Sequence, residues 1–513
     1  MATGGARLVA AGILLSRLFG LVRQRVTAHF LGTGLAADAL AAAFRIPNLL
    51  QNLFGEGSLS ASFIPVYSRL LAEGKRDEAG RVAGAVLALL ALLVSLVVLV
   101  GVLGAQWLVD LVAPGFDGAA RELTISLVRI IFPGLGLLVL SAWCLGILNA
   151  HRKFFLSYAS PVLWNVAIIA ALIVGGRSTV WSDPAELAVL VAMASVVGAF
   201  LQFVIQLPPV LRVEKSMRFR AGDAAGEVRG IVRAFGPAVG TRGVVQVSAY
   251  VDTIIASLLG AGALATLSYA QAISLLPVSL FGMSIAASEL PEMSGATGDE
   301  TLVHEKLRAR LESGLKRIAY FVIPSVIAFV AFGGVLAAAV YQGGAFTKTD
   351  AQWVWGALAG SGVGLLASTM GRLYASASFA LRDTRTPFRY ASIRVVLAAV
   401  LGGTLAVGLP RYLGVDGRWG IAALTAASGV AGWVEFLLLR AAIGRRIGQV
   451  GVSFLLQAKL WACAIGAAVV GLLSVRTVLD RHPVIVGVAV CGAYGLSYLL
   501  LTRLLRVDDA RRA

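Results

Sequence analysis

Apolar runs of about twenty residues recur along the whole of this chain, separated by short polar breaks. A helix needs about twenty such residues to cross ~30 Å of hydrocarbon, whereas a barrel strand would alternate over about ten. Fourteen runs can be placed, at 7–31, 37–68, 82–112, 123–149, 157–176, 186–211, 228–258, 263–291, 308–341, 353–379, 388–409, 419–443, 455–476 and 483–505. The breaks carry Gly, Pro, Asp or clustered charge. A helix satisfies its backbone polar groups internally, as lipid requires. The expected fold class is therefore an all-α integral membrane protein with about fourteen transmembrane helices. The charged fraction of 14% agrees, since soluble domains carry about 25%.

The basic residues orient the chain. With the N-terminus in the cytoplasm, thirty of the 44 Lys and Arg fall on the cytoplasmic side, seven on the opposite side and seven inside runs. This bias puts both termini in the cytoplasm. It also accounts for the net charge of +17 without nucleic acid. The first run contains arginines and lacks a short apolar core with a small-residue cleavage site, so no cleavable signal is expected. The stretch Arg212–Arg233, basic and weakly amphipathic, is expected to lie on the anionic inner leaflet.

That stretch also divides the chain. Residues 31–34 read LGTG and 259–262 read LGAG; residues 61–65 read ASFIP and 287–291 read ASELP. The two offsets, 228 and 226, point to duplicated six-helix units of the same topology, two lobes around a central cavity. The expected domains are an N-terminal lobe (1–211), a basic cytoplasmic linker (212–233), a C-terminal lobe (234–444), and two additional helices with a tail (445–513).

Charge inside the runs concentrates between Ile13 and Arg69, where Arg17, Arg23, Arg25, Asp38, Arg45 and Glu56 interrupt apolar sequence. An ionised side chain at bilayer depth costs at least about 2.5–3.5 kcal/mol and usually faces a wet interior. Asp38, Arg45, Asn52 and Glu56 are spaced 7, 7 and 4 apart, one stripe of a helix that Pro47 should kink. Two readings are open. The charges pair and glue two helices together, or they line a cationic, water-filled cavity for an anionic substrate. Three arginines on the first helix outnumber the local carboxylates and favour the cavity.

Catalytic chemistry finds little support. Cys144, Cys463 and Cys491 lie inside apolar runs with no metal-ligand spacing, and His29, His151, His304 and His482 are scattered. No GxxxxGK[ST] sequence is present, so the membrane potential is a better driver than ATP. No cofactor is expected.

The runs SRLFGLVRQ and ADALAAAFRIPNLLQNLFGEGSLSASFIPVYSR resemble the first two helices of the MurJ/MviN lipid II flippase family, in the multidrug/oligosaccharidyl-lipid/polysaccharide exporter superfamily. APGF (113–116), ILNAHRKF (147–154), VYQGGAFT (340–347) and LRDTRTP (381–387) are similar too. The resemblance implies transport of undecaprenyl-diphosphate-linked disaccharide pentapeptide from the inner to the outer leaflet of the bacterial cytoplasmic membrane. It implies cavity arginines at Arg17 and Arg23 and acidic helix-2 residues at Asp38 and Glu56. Arg25 would hold the head group with Arg17 and Arg23, and Arg45 would assist. Two family arginines are replaced, by Gln51 and Ala272. Arg242 is the expected substitute, a cation offered by the second half; pairing with Asp252 or snorkelling are its bland readings. Some members bind sodium through an acidic residue that Asp252 matches, but run 388–409 has no Asp, Glu or Asn to complete the site. Coupling to a monovalent ion, sodium or chloride, stays open. The expected partners are the lipid substrate and membrane lipids, with the chain acting as a monomer beside the cell-wall synthesis machinery.

Rival readings are a flippase for another undecaprenyl-linked glycan, a cation-coupled drug exporter, a membrane glycosyltransferase and a transport-dead scaffold. The exporter predicts twelve runs and an acidic, aromatic cavity. The enzyme predicts a DxD-type cluster, which Asp183 and the Asp508–Asp509 pair do not supply.

Overall fold

The computed structural model describes residues 2–54, 56–214, 225–294, 300–478 and 480–507, with side chains left aside in stretches that include 2–11, 56–58 and 236–249. Contacts divide the chain into two compact units, Met1–Ile254 and Ile255–Ala513. The first holds α1 (Ala2–Leu31), α2 (Leu35–Phe54), α3 (Glu56–Ala72), α4 (Arg76–Leu103), α5 (Ala105–Val112), α6 (Gly118–Ala150), α7 (Phe154–Ala159), α8 (Pro161–Gly175), α9 (Pro184–Val213) and most of α10 (Ala225–Ser257). The second holds α11 (Ala263–Pro277), a π-helical turn (Val278–Met283), α12 (Ser284–Ser294), α13 (Glu300–Tyr341), α14 (Lys348–Ala380), α15 (Arg385–Leu413), α16 (Gly420–Ile447), α17 (Phe454–Val478) and α18 (Pro483–Leu504).

Eleven helices among the described residues are long and apolar enough to cross a membrane. They match eleven of the fourteen expected runs. The other three runs, 7–31, 37–68 and 228–258, are also helical but carry the polar residues singled out above. Run 37–68 is helical on either side of residue 55, as Leu35–Phe54 and Glu56–Ala72; residue 55, which the expected stripe from Asp38 to Glu56 crosses, lies outside the described residues. The break between the two compact units falls after Ile254, within α10, and the later part of the expected linker, from Ala225, is helical. Residues 215–224 of the expected linker lie outside the described residues.

In the first unit α6 is central, packing against α9, α2, α4 and α3. Its buried core is joined by neutral polar groups. Gln202 and Gln206 of α9 donate to the Ser141 hydroxyl at 3.1 and 2.9 Å, and Trp143 donates to the Ala83 carbonyl. In the second unit α14 takes that place, against α16, α13 and α11. Glycines set the α14–α16 spacing: a Cβ on Gly364 would lie 2.2 Å from the Gly429 Cα. The Thr347–Asp350 capping box starts α14. α17 and α18 dock on α13. Pro324 has no N–H for the Tyr320 carbonyl, and Tyr498 fills the gap, donating its hydroxyl to that oxygen at 2.7 Å.

The two units end equivalent helices alike. After α6, Arg152 sits at φ 59°, and after α14, Arg382 sits at φ 57°, each at a left-handed cap usually given to glycine. The N–H groups of Arg152 and Lys153 return to Asn149 and Leu148; those of Arg382 and Asp383 return to Phe379 and Ser378. The offset is again close to the one between LGTG and LGAG, and both of those segments follow the first helix of their half.

Candidate functional site

Trp164 of α8 is the anchor of the first unit's charged region. The Arg23 guanidinium of α1 lies over its ring, 4.8 Å from the centroid, and Phe44 of α2 meets it edge-on at 5.7 Å. α1 can approach α8 and α7 closely because residue 12 is glycine: a Cβ there would stand 2.8 Å from the Tyr158 Cβ. At about 100° per residue, Arg17 and Arg25 lie some 80° apart while Arg23 projects from the far side. Accordingly Arg17 and Arg25 are exposed and Arg23 is half-buried. The three arginines therefore do not share one face of α1. Arg23 is held on an aromatic ring; Arg17 and Arg25 are exposed.

On α2, Asp38 lies in the first turn and is 2% exposed, where a carboxylate complements the helix dipole. Asn52 is exposed and Gln51 half-buried. Arg45, next to Phe44, is half-buried and faces Asp252 of α10, while the Tyr250 hydroxyl donates to the Arg45 carbonyl. Asp252 thus has a guanidinium before it, an arrangement the sequence did not suggest. A carboxylate so placed offers less to a cation. The Glu56 and Arg242 side chains lie outside the described residues. By chain position Arg242 lies before the break after Ile254 that separates the two compact units. No group of three His, Cys, Asp or Glu that could hold a metal occurs among the described residues.

Two polar clusters escaped sequence reading. Near the end of α3, Tyr67 donates to Glu214 at 2.7 Å, so His151 at 3.0 Å donates its Nε2–H to the tyrosine oxygen. Burial holds the His151 ring below the usual imidazole range, against the pull of Glu214. In the second unit, Arg394 of α15 lies 3.2 Å from Glu435 of α16, with Arg372 of α14 beside both. Arg394 stands nine residues inside α15. A lone glutamate in the run AGWVEFLLLR was the available signal.

The family model described as lipid II flippase MurJ matches residues 27–486. A lipid II flippase MurJ of Burkholderia cenocepacia is 32% identical over 448 residues, covering 85% of this chain and 83% of the relative. A probable lipid II flippase MurJ of Rhizobium meliloti is 29% identical, covering 90% and 84%. Among solved structures, a lipid II flippase MurJ in an inward closed conformation superposes with TM-score 0.80 at 22% identity, covering 98% of this chain and all of that one. An inward-facing multidrug-resistance MATE transporter of the MOP superfamily reaches 0.68 at 18% identity, covering 84% and 95%. These two likenesses establish the fold.

Proposed function

The chain belongs to the lipid II flippase MurJ family, and on that premise we propose that it carries lipid II, an undecaprenyl-diphosphate-linked glycopeptide, from the inner to the outer leaflet by alternating access. A diphosphate cannot cross hydrocarbon unaided, because an uncompensated charge there is prohibitively costly. Arginine forks match phosphate oxygens bidentately and keep their charge. The observation that carries the reading is α1: Arg17 and Arg25 exposed on one side, Arg23 seated on Trp164 on the other. We assign the diphosphate to these arginines, with Arg45 and Asp38 shaping the adjoining surface. No bond is made or broken, so the chain acts as a transporter and not as an enzyme. It works as a monomer alongside the cell-wall synthesis machinery.

The test is growth after depletion of a host's own lipid II flippase. The parent chain is expected to restore growth, and Arg17→Ala and Arg23→Ala to fail at normal expression. Full growth with both variants would remove the arginines from the mechanism. Both termini are assigned to the cytoplasm. Cysteines placed at Lys75 and Arg445 should then be shielded from an impermeant thiol reagent in intact cells, and one at Lys348 should react; labelling at the first two would reverse the orientation.

A further inference from the structure

The second unit places two guanidinium groups and one carboxylate inside membrane-spanning helices. At 1.5 Å per residue, Arg372 is roughly 12 Å from the nearer end of α14, Arg394 roughly 14 Å from that of α15, and Glu435 roughly 18 Å from that of α16. Glu435 is engaged by Arg394 at 3.2 Å, and both are largely covered, with side chains 18% and 29% exposed. The Arg372 guanidinium makes no hydrogen bond or ion pair among the described residues, and part of the residue is exposed. One carboxylate against two guanidiniums leaves a net charge of one.

Among the eleven spanning helices described, α14 is the most enclosed. The face that carries Arg372 is mixed: half-buried Ser361, Ser368 and Ser376, spaced 7, 4 and 4 around it, share it with the exposed Phe379 one repeat further on. Their hydroxyls donate to the carbonyls of Ala357, Leu365 and Arg372. The neighbouring α15 instead exposes Ile393, Val396 and Val400, as a helix against lipid tails should. A fork with no partner among the described residues, next to serine hydroxyls and to a carboxylate already engaged, is suited to receive an anion.

We propose that Arg372, backed by the Arg394–Glu435 pair, is an anion-binding residue of the second unit, taking a single negative group. The chemistry fits a carboxylate of the substrate's peptide, a phosphate of its diphosphate, or a free small anion. The proposal rests on the lipid-transport reading for the first two sources. Arg394 holds Glu435, so that Glu435 neutralises one arginine and leaves Arg372 to the ligand.

The test uses the purified full chain in nanodiscs, titrated with lipid II, with undecaprenyl diphosphate and with chloride. Arg372→Ala is expected to weaken binding about tenfold, the size of one hydrogen-bonded charge contact. Loss for lipid II alone identifies the peptide carboxylate; equal loss for undecaprenyl diphosphate identifies the phosphate; loss for chloride alone identifies the free anion. Glu435→Gln raises the local positive charge and is expected to tighten binding of that same ligand. Arg372→Lys should recover part of the loss, and Arg372→Gln replaces the alanine variant if that one does not fold. Unchanged binding of all three ligands by a folded Arg372 variant overturns the proposal, as does weakening by Glu435→Gln equal to that by Arg372→Ala. If the parent itself binds neither lipid, the transport reading fails separately.

Discussion

The two units handle polarity inside apolar helices in different ways. In the first, the α6–α9 core is joined by neutral groups, Gln202 and Gln206 on Ser141, and its α1 cation Arg23 rests on the face of Trp164. In the second, the helix junction α15–α16 contains an ion pair, Arg394–Glu435, with a further arginine beside it. The first unit seats a cation on a neutral ring, whereas the second sets one against a carboxylate. The difference separates charge held by packing from charge held by charge, and it isolates Arg372, which lies beside the pair and makes no ion pair among the described residues.

The largest effect that can test this contrast is on stability. Arg394→Leu leaves Glu435 without its partner, and the expected cost is on the order of 3 kcal/mol. The double variant Arg394→Leu with Glu435→Leu should recover most of it, because well-packed apolar residues replace a buried pair at little net cost. Thermal melting of the purified chain decides: a double variant as unstable as the single would mean that the pair does more than satisfy itself. A smaller effect is expected in the first unit. Trp164→Leu keeps apolar bulk but removes the ring under Arg23, at a cost of about 0.5–2 kcal/mol. It should appear in the affinity for lipid II with melting nearly unchanged, and Trp164→Phe should restore part of it. Melting that falls as far as affinity would make Trp164 a packing residue and would erase the contrast.

Much of the fold was legible in the sequence because lipid leaves a chain few options. Apolar run lengths placed eleven spanning helices and the three more polar ones among them. The segments LGTG and LGAG marked corresponding positions in the two halves. The site was legible only as a set of residues. Arg17, Arg23 and Arg25 stood out by their cost in an apolar helix. Nothing in their spacing showed that only Arg23 would meet a ring, since Trp164 lies 141 positions further along the chain.

What the sequence determined by itself is therefore what short-range physics controls: helix lengths, which segments meet lipid, and which side chains are too costly to be there without purpose. Tertiary structure decided the partnerships. Arg45 faces Asp252, Tyr67 joins Glu214 to His151, and Arg394 meets Glu435, each pair brought from helices distant in sequence. The physical reason is common to all of these. Hydropathy acts residue by residue and can be read along the chain, whereas a charge in an apolar helix is settled by whichever partner the packing of other helices brings within a few ångströms.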